Sequence, residues 1–310
     1  VVLNPGINCG ECEFCLSGEH SLCVSFHLLG EHVAGTFADI VVAPAVNAYP
    51  KPAGLSWEEA AAFPLTFLTA WRMLVTKARV KPGESLLIVG IGGGVAVAAL
   101  QIAKLLGLVV FVTSGSQEKL DRAKALGANA GIDHGTSDFS REIRRLTGKR
   151  GVDVVLDSVG KATWKQSIAA AAKGGRLLTC GATTGPDPQT DLGRIFWNQL
   201  TVYGSTMGTH AEFAGMLKLF SDGKVIQASI NTILRYNKKV WGGVSYRYGD
   251  ALIGIIGLEL FNGIRLGYAY DFTLSDMANN SKGSHEFMVN YCFDLNFGKS
   301  PMKYKSIRFL

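Results

Sequence analysis

The sequence predicts an α/β fold: a doubly wound parallel sheet, preceded by a cysteine-rich segment and followed by an all-β antiparallel segment. Three observations predict it. Residues 85–204 alternate apolar strands with helical stretches, the signature of parallel strands joined by crossover helices. A glycine-rich turn joins the first strand of that series to its helix. From Ala228 onward the apolar period changes to two, the period of a strand with two unlike faces.

Composition supports a division. The chain has 310 residues, 47% of them hydrophobic, enough to bury two cores. Residues 1–227 carry 16 of the 30 aromatics and the shorter remainder carries 14, so the two parts differ in physical class. No uninterrupted apolar run reaches the length of a membrane-spanning helix. The net charge of +6 is modest, and no dense Lys/Arg block interleaves with aromatics, which argues against a nucleic-acid partner. There is no initiator Met and no signal-peptide pattern. Val1, Val2 and Leu3 read as the middle of a strand, so a truncated start is expected.

Cys9, Cys12, Cys15 and Cys23 follow as C-x2-C-x2-C-x7-C in a loop rich in glycine and polar residues. Thiolates at this spacing can converge on one tetrahedral Zn²⁺, and four sulfurs leave no open position, so the site reads as structural. Two disulfides are the alternative, disfavoured by the intracellular look of the chain. Cys180 and Cys292 read as ordinary buried residues. His20, His27, Glu31 and His32 are the other group of ligand-type side chains, and they read more readily as exposed loop residues. His134 lies in a polar loop and receives no role.

Ser56 to Val75 reads as a helix opened by a Ser56/Glu59 capping box, with Pro64 as a kink. Ser85 to Val89 is a buried parallel-type strand. Gly90, Ile91, Gly92, Gly93, Gly94, Val95 and Ala96 follow it directly, and a helix is expected from Val97 to Leu106. A glycine turn in this position lets backbone approach a pyrophosphate, and the helix start adds free N–H groups and a positive dipole end. The last small position is Ala96 rather than glycine.

The next strand, Leu108 to Thr113, ends at Ser114, and a helix from Gln117 to Leu126 follows with Ser116 as N-cap and Gly127 as stop. An NAD site carries Asp or Glu about 20 residues after the glycine turn. Ser114 stands there instead. A neutral hydroxyl does not repel a 2′-phosphate, and Lys119 and Arg122 are near, so the reading prefers NADP(H) over NAD(H). A solvated helix face remains the alternative for Lys119 and Arg122. Further strands are expected at Val152–Asp157, 175–181 and 199–204, with a helix from Ala162 to Ala172. A ligand would then lie at the carboxyl ends, near Gly90, Ser114, Val159 and Gly181.

Together these residues resemble the zinc-containing medium-chain dehydrogenase/reductase family, over about residues 1–227. The cysteine cluster is similar to its structural zinc lobe. Gly35 to Val42 resembles the strand that returns to its GroES-like catalytic domain. Phe63 to Trp71 is similar to the first helix of its Rossmann domain, where the threonine matching Thr69 lies near the nicotinamide. The resemblance implies a partial catalytic domain at 1–57 and a cofactor domain at 58–227. It implies hydride transfer between nicotinamide and a small-molecule alcohol, carbonyl, activated alkene or quinone, and it makes a homo-oligomer an option. The third ligand of the family's catalytic zinc falls at Leu65, which cannot bind zinc. The pattern is therefore nearer the zinc-independent quinone and enoyl reductase branches, and no catalytic residue is assigned. A nucleotide-binding fragment without catalysis is a competing reading.

In the tail, Ile264, Leu266, Tyr268, Tyr270 and Phe272 alternate with Arg265, Gly267, Ala269 and Asp271. Phe287 to Phe297 and Val240 to Tyr248 behave alike, and hairpin turns are expected at 237–239, 249–250 and 262–263. About five antiparallel strands result, in a soluble meander or a transmembrane barrel. Trp241 to Tyr248, Tyr268 to Phe272, Gly283 to Glu286 and Arg308 to Leu310 resemble the end of the PorP/SprF outer-membrane proteins of type IX secretion. That resemblance, over about 228–310, implies an outer-membrane location for the tail, whereas residues 1–227 imply a cytoplasmic one. The change near Ile226 to Ser229 reads as a chimera of two incomplete proteins.

Overall fold

The computed structural model describes residues 1–221, 229–236, 239–247, 251–259, 264–273 and 284–291. By contacts the chain divides into two units, Val1–Leu55 with Phe63–Ile226, and Ser56–Ala62 with Gln227–Leu310. Among the described residues no helix is long and apolar enough to cross a membrane.

The first unit opens with short strands. β1 (Val2–Leu3) pairs antiparallel with β4 (Ala48–Tyr49), and β2 (Gly6–Ile7) pairs antiparallel with β3 (His27–Leu28). Between β2 and β3 lies the cysteine lobe with one short helix, α1 (Glu13–Leu16). Buried Asn47 ties these strands together: its Nδ2 donates to the carbonyls of Asn4 and Gly6, both at 2.7 Å. Gly35 to Val42, expected as a strand, is not one. It has no strand partner among the described residues, and Phe37, Ile40 and Val42 are exposed. A strand without a neighbour has no ladder to satisfy its backbone groups.

The expected helix from Ser56 to Val75 is three segments. α2 (Trp57–Ala62) carries the capping box, with Ser56 N–H donating to Glu59 Oε2 at 2.8 Å and Glu59 N–H to Ser56 Oγ at 3.1 Å. α3 (Pro64–Trp71) begins at Pro64, which is tolerated at a helix start because its missing N–H is unpaired there anyway. Arg72–Lys77 continues as a π-helical turn, closed by Ala78 N–H on Met73 O at 2.8 Å.

The central sheet is six-stranded and parallel. Its strands are β5 (Ser85–Val89), β6 (Val109–Ser114), β7 (Ala130–Asp133), β8 (Val152–Asp157), β9 (Ala171–Thr179) and β10 (Thr201–Gly204), in the order β10-β9-β8-β5-β6-β7. The order reverses between β5 and β8, which leaves a crevice at their carboxyl ends. The crossovers are α4 (Gly94–Leu105), α5 (Gln117–Ala125), α6 (Phe139–Leu146) and α7 (Trp164–Ala170), followed by α8 (Leu192–Trp197) before β10 and α9 (His210–Ser221) after it. β7, α6, α8 and α9 lie outside the sequence expectations. α4 begins three residues earlier than expected, because Gly94, Val95 and Ala96 form its first turn after the extended Gly93. α7 ends earlier, because Ala171 turns into β9.

One face of the sheet packs Leu87, Val155 and Leu177 with Phe139, Ile143 and Ile168. Leu86, Ile88, Val110 and Val154 are also fully buried, so both faces are covered, as parallel strands require. Asp153 fastens β8 to β5. Its Oδ2 accepts from Ser85 N–H at 2.9 Å and Ser85 Oγ at 2.7 Å, and its Oδ1 pairs with Arg150. Burial alone would raise its pKa, but the Arg150 and Ser85 hydrogen bonds outweigh it and hold the carboxyl at about 2. A depressed folded-state pKa stabilises above the unfolded value and loses that contribution as the carboxyl protonates. Stability is therefore expected to fall by about 2 kcal/mol as pH drops from roughly 4 to below 2. Comparing acid unfolding of the protein with that of Asp153→Asn checks this; identical acid limbs would refute it.

In the second unit β11 (Ser229–Tyr236), β12 (Val240–Arg247), β13 (Ala251–Glu259), β14 (Ile264–Thr273) and β15 (Ser284–Tyr291) form an antiparallel meander. The five expected strands are there, although β15 starts before Phe287 and the expected continuation over Cys292–Phe297 lies outside the described residues. So do Gly223–Ile226, Tyr248–Asp250, Asn262–Gly263, Gly283 and Arg308–Leu310. The pairing register aligns the strands so that Arg235, Arg247, Glu259, Arg265, Asp271 and Glu286 all occupy positions of one face. These are all the Lys, Arg, Asp and Glu residues of the five strands. Val240, Val244, Ile256, Leu258 and Leu266 belong to the other face and are exposed, whereas Gly257, Gly267 and Ala269 on the charged face are buried.

Candidate functional site

The four cysteines converge. Cys9 and Cys15 Sγ are 3.9 Å apart, Cys12 and Cys15 3.5 Å, and Cys9 and Cys23 3.5 Å, with all four within 4.8 Å of one another. Zinc–sulfur bonds of about 2.3 Å place tetrahedral sulfurs roughly 3.8 Å apart, so the cluster fits one zinc ion. All these distances exceed the roughly 2.05 Å of a disulfide, and the four thiols are free in this structure. Backbone N–H groups of Cys12, Cys9 and Ser25 point at sulfur: Cys12 donates to Cys9 Sγ at 3.4 Å, Cys9 to Cys23 Sγ at 3.3 Å and Ser25 to Cys23 Sγ at 3.4 Å. Such donors favour the thiolate form a metal requires. Among the described residues no other group of three or more His, Cys, Asp or Glu converges in this way.

The histidine group does not assemble. His27 and His32 lie edge to face at 5.8 Å, while His20 packs instead on His210 at 4.6 Å. His210, not singled out in the sequence, bridges Asn8 and Tyr49: its Nε2 is 3.0 Å from Asn8 Nδ2 and its Nδ1 3.1 Å from Tyr49 Oη. Burial, and then the neighbouring His20, lower its pKa.

The glycine turn sits at the carboxyl end of β5. Gly90 (φ +78°) and Gly92 (φ +123°) adopt left-handed backbone. A Cβ on Gly90 would lie 3.1 Å from Val159 Cγ2, and one on Gly94 2.7 Å from Thr66 Cγ2, whereas Gly93 faces open space. Thr113 holds the turn, its Oγ1 accepting from Gly90 N–H at 3.0 Å and its carbonyl from Ile91 N–H at 2.7 Å. No side chain caps α4, and Gly92, Gly93 and Gly94 are exposed while Val95 is half-buried. The uncapped start of a 12-residue helix is a fitting cradle for a pyrophosphate. Ala96 is buried, as a small residue between helix and sheet should be.

Around this turn the structure gathers the other expected residues. Ser114 closes β6, its hydroxyl accepting from Ser116 N–H at 3.1 Å. Lys119 lays its stem over Gly92, where a Cβ would meet Lys119 Cδ at 2.9 Å, whereas Arg122 pairs with Glu118 one turn back. The two cations left open by the sequence thus have different surroundings. His134 reaches the same strand end, with Nδ1 3.2 Å from Thr113 Oγ1. Val159 and Gly181 flank the crevice from β8 and β9, a Cβ on Gly181 lying 3.4 Å from Ser158 O. Thr69 is buried on α3, its hydroxyl donating to Leu65 O at 2.8 Å and lying 3.6 Å from Met207 Sδ. Leu65 itself is exposed.

Asp157, which sequence reasoning passed over, shapes the turn containing Val159. Its Oδ1 accepts from the N–H groups of Val159 (2.8 Å) and Gly160 (3.1 Å), and its Oδ2 from Thr163 Oγ1 (2.8 Å) and Ser167 Oγ (2.6 Å). Four donors around a carboxylate that is 1% exposed satisfy its charge without a cation and fix the turn rigidly. An aspartate ending a strand was the available signal.

Comparison with known proteins bears on both units. The alcohol dehydrogenase GroES-like domain model matches residues 1–53, and the zinc-binding dehydrogenase model matches 94–222. The model of the type IX secretion system membrane protein PorP/SprF matches residues 202–291. A NAD-dependent alcohol dehydrogenase of Saccharolobus solfataricus is 34% identical over 227 residues, covering 73% of this chain and 65% of that protein. A crotonyl-CoA reductase of Streptomyces avermitilis is 33% identical over 211 residues, 62% of this chain and 47% of that one. The crystal structure of a NAD-dependent alcohol dehydrogenase superposes with a TM-score of 0.69 at 47% identity, covering 72% of this chain and 65% of that one. The chain thus spans just under two thirds of the length of such relatives.

Proposed function

Residues 1–227 belong to the zinc-containing medium-chain dehydrogenase/reductase family, and from that premise we propose that they form the zinc- and nucleotide-binding part of an oxidoreductase. The substrate is a small alcohol, carbonyl, activated alkene or quinone, and NADP(H) is preferred over NAD(H). Residues 1–57 are then part of the catalytic domain and 58–227 the cofactor domain. The observation that carries the reading is the uncapped glycine turn at the crevice, with Ser114 beside it in place of an acid.

When bound, the cofactor supplies the hydride. The chain's own residues do the rest. The backbone N–H groups of Gly92 to Val95, at the helix start that no side chain caps, would receive the pyrophosphate, and Val159 and Gly181 would bound the crevice on its other side. Ser114 faces the adenosine ribose without repelling a 2′-phosphate, and the Lys119 ammonium adds an attractive charge. Thr69 borders the nicotinamide end. Cys9, Cys12, Cys15 and Cys23 fill the shell of a structural zinc and so hold the lobe in shape. Matched relatives named NAD-dependent differ from this preference, which rests on Ser114 with Lys119 beside it.

Titrating NADPH and NADH into the full chain, with zinc measured on the same sample, tests the reading. Tighter NADPH binding with about one zinc per chain is expected. Tighter NADH binding would overturn the cofactor preference. Folded, zinc-loaded protein that binds neither would overturn the nucleotide site.

A second reading concerns residues 228–310. The match to PorP/SprF, with an exposed apolar face and charges gathered on the opposite one, supports a segment of an outer-membrane barrel, its apolar face toward lipid. Five strands fall short of the roughly eight that close such a barrel, so this segment requires further strands. The full chain is expected to partition into detergent micelles; a chain that stays monomeric in plain buffer would sink this reading.

A further inference from the structure

The largest fully buried side chain among the described residues is a cation, Arg72, 1% exposed. It stands in the π-helical turn after α3, and its two terminal nitrogens serve different parts of the chain. Nη2 pairs with Glu19 Oε2 of the cysteine lobe at 2.5 Å, and Nη1 with Glu212 Oε2 of α9 at 2.8 Å. Glu212 is itself engaged elsewhere. It closes a capping box at the start of α9, accepting from Thr209 N–H at 2.6 Å while its own N–H donates to Thr209 Oγ1 at 3.1 Å. Its second oxygen accepts from Thr76.

The segment fixed by this cap is Ser205 to Thr209. Met207 is buried in it with left-handed backbone (φ +47°) and meets Thr69. Gly208 presses on α3 so closely that a Cβ there would lie 2.5 Å from Leu68 Cδ1. The Ser205 hydroxyl is buried without a hydrogen-bond partner among the described residues. A strained, tightly seated turn with an orphaned hydroxyl is what a preorganised ligand wall looks like.

We propose that Arg72 is a positioning residue for the nicotinamide end of the dinucleotide site: by clasping Glu19 and Glu212 together it seats the Ser205–Thr209 turn against Thr69. The inference rests on the dinucleotide reading above. Its physical basis is that a buried guanidinium with two carboxylates is costly to rearrange, since breaking either pair strands a charge. The clasp's own bonds lie at the Thr69 end of α3. Among the described residues the clasp bonds to Glu19, Glu212, Thr76 and Thr209, and neither Ser114 nor the glycine turn, which serve the adenosine and pyrophosphate, is among its partners.

The test compares two ligands on the full, zinc-loaded chain: NADPH, and 2′-phospho-ADP-ribose, which lacks the nicotinamide. Arg72→Lys keeps the charge and loses the fork, and Glu19→Gln removes one arm at a half-exposed carboxylate, so at least the second variant retains the fold. Both are expected to weaken NADPH roughly tenfold or more while changing the nicotinamide-free ligand by less than about twofold. Equal losses for the two ligands, or no loss in a folded variant, would overturn the proposal and leave Arg72 a clasp of the fold alone. If the unsubstituted chain bound neither ligand, the dinucleotide reading itself would fall.

Discussion

Replacing Cys15 with serine is expected to release the zinc and lower the melting temperature by roughly 10 °C, an effect of several kcal/mol in a unit of this size. Cys15, buried like Cys23, touches both Cys9 and Cys12. Without it three thiolates remain within a few ångströms of one another, and the metal that compensated their charge is bound too weakly to stay. The loss reaches beyond the lobe, because Asn8 meets His210 and Glu19 meets Arg72. Metal analysis and a thermal melt, each with and without a strong chelator, measure the effect. A chelator that left the melting temperature of the unsubstituted protein unchanged would show that zinc does not hold this lobe.

Gly90→Val is expected to weaken nucleotide binding by about a hundredfold while costing the fold only about 1–3 kcal/mol. A β-branched residue at φ +78° is strained, and its Cβ starts 3.1 Å from Val159 Cγ2, so the turn must move away from the crevice. The movement falls on the backbone that receives the pyrophosphate. Gly93→Ala is the companion variant, since a Cβ there meets nothing within 4 Å and the backbone needs no positive φ. It keeps the fold, and any loss of affinity in it reports crowding against the ligand. Fluorescence titration gives the affinities and urea unfolding the stabilities. Unchanged affinity in Gly90→Val would show that the turn does not receive the nucleotide.

Much of this protein was legible in its sequence because the deciding interactions are local. The cysteine spacing brings four sulfurs together within one loop. The apolar run Ser85–Val89 followed by glycines forces a strand, a left-handed turn and an uncapped helix start. Ser56 and Glu59 cap each other across a single turn, and period-two alternation marks each tail strand. Errors came where a local pattern lacked its distant partner. Gly35 to Val42 is apolar enough for a strand, but no neighbouring strand completes a ladder, and Pro64 became a helix start rather than a kink because α2 and α3 are separate segments.

Tertiary structure alone decided the rest. Arg72 reads in the sequence as one more helical cation; only the fold brings Glu19 and Glu212 to it from 53 and 140 residues away. His210 and Asn8 meet across 202 residues. Lys119 and Arg122 look equivalent on α5 until the turn at Gly92 and the carboxylate of Glu118 separate them. In the tail each strand shows its own alternation, but only the pairing register puts every Asp, Glu, Lys and Arg of the described strands on one face. Periodicity records which side a residue takes along its own strand or helix. Which partner satisfies a buried charge, and which faces align, depends on long-range contacts that a linear pattern does not encode.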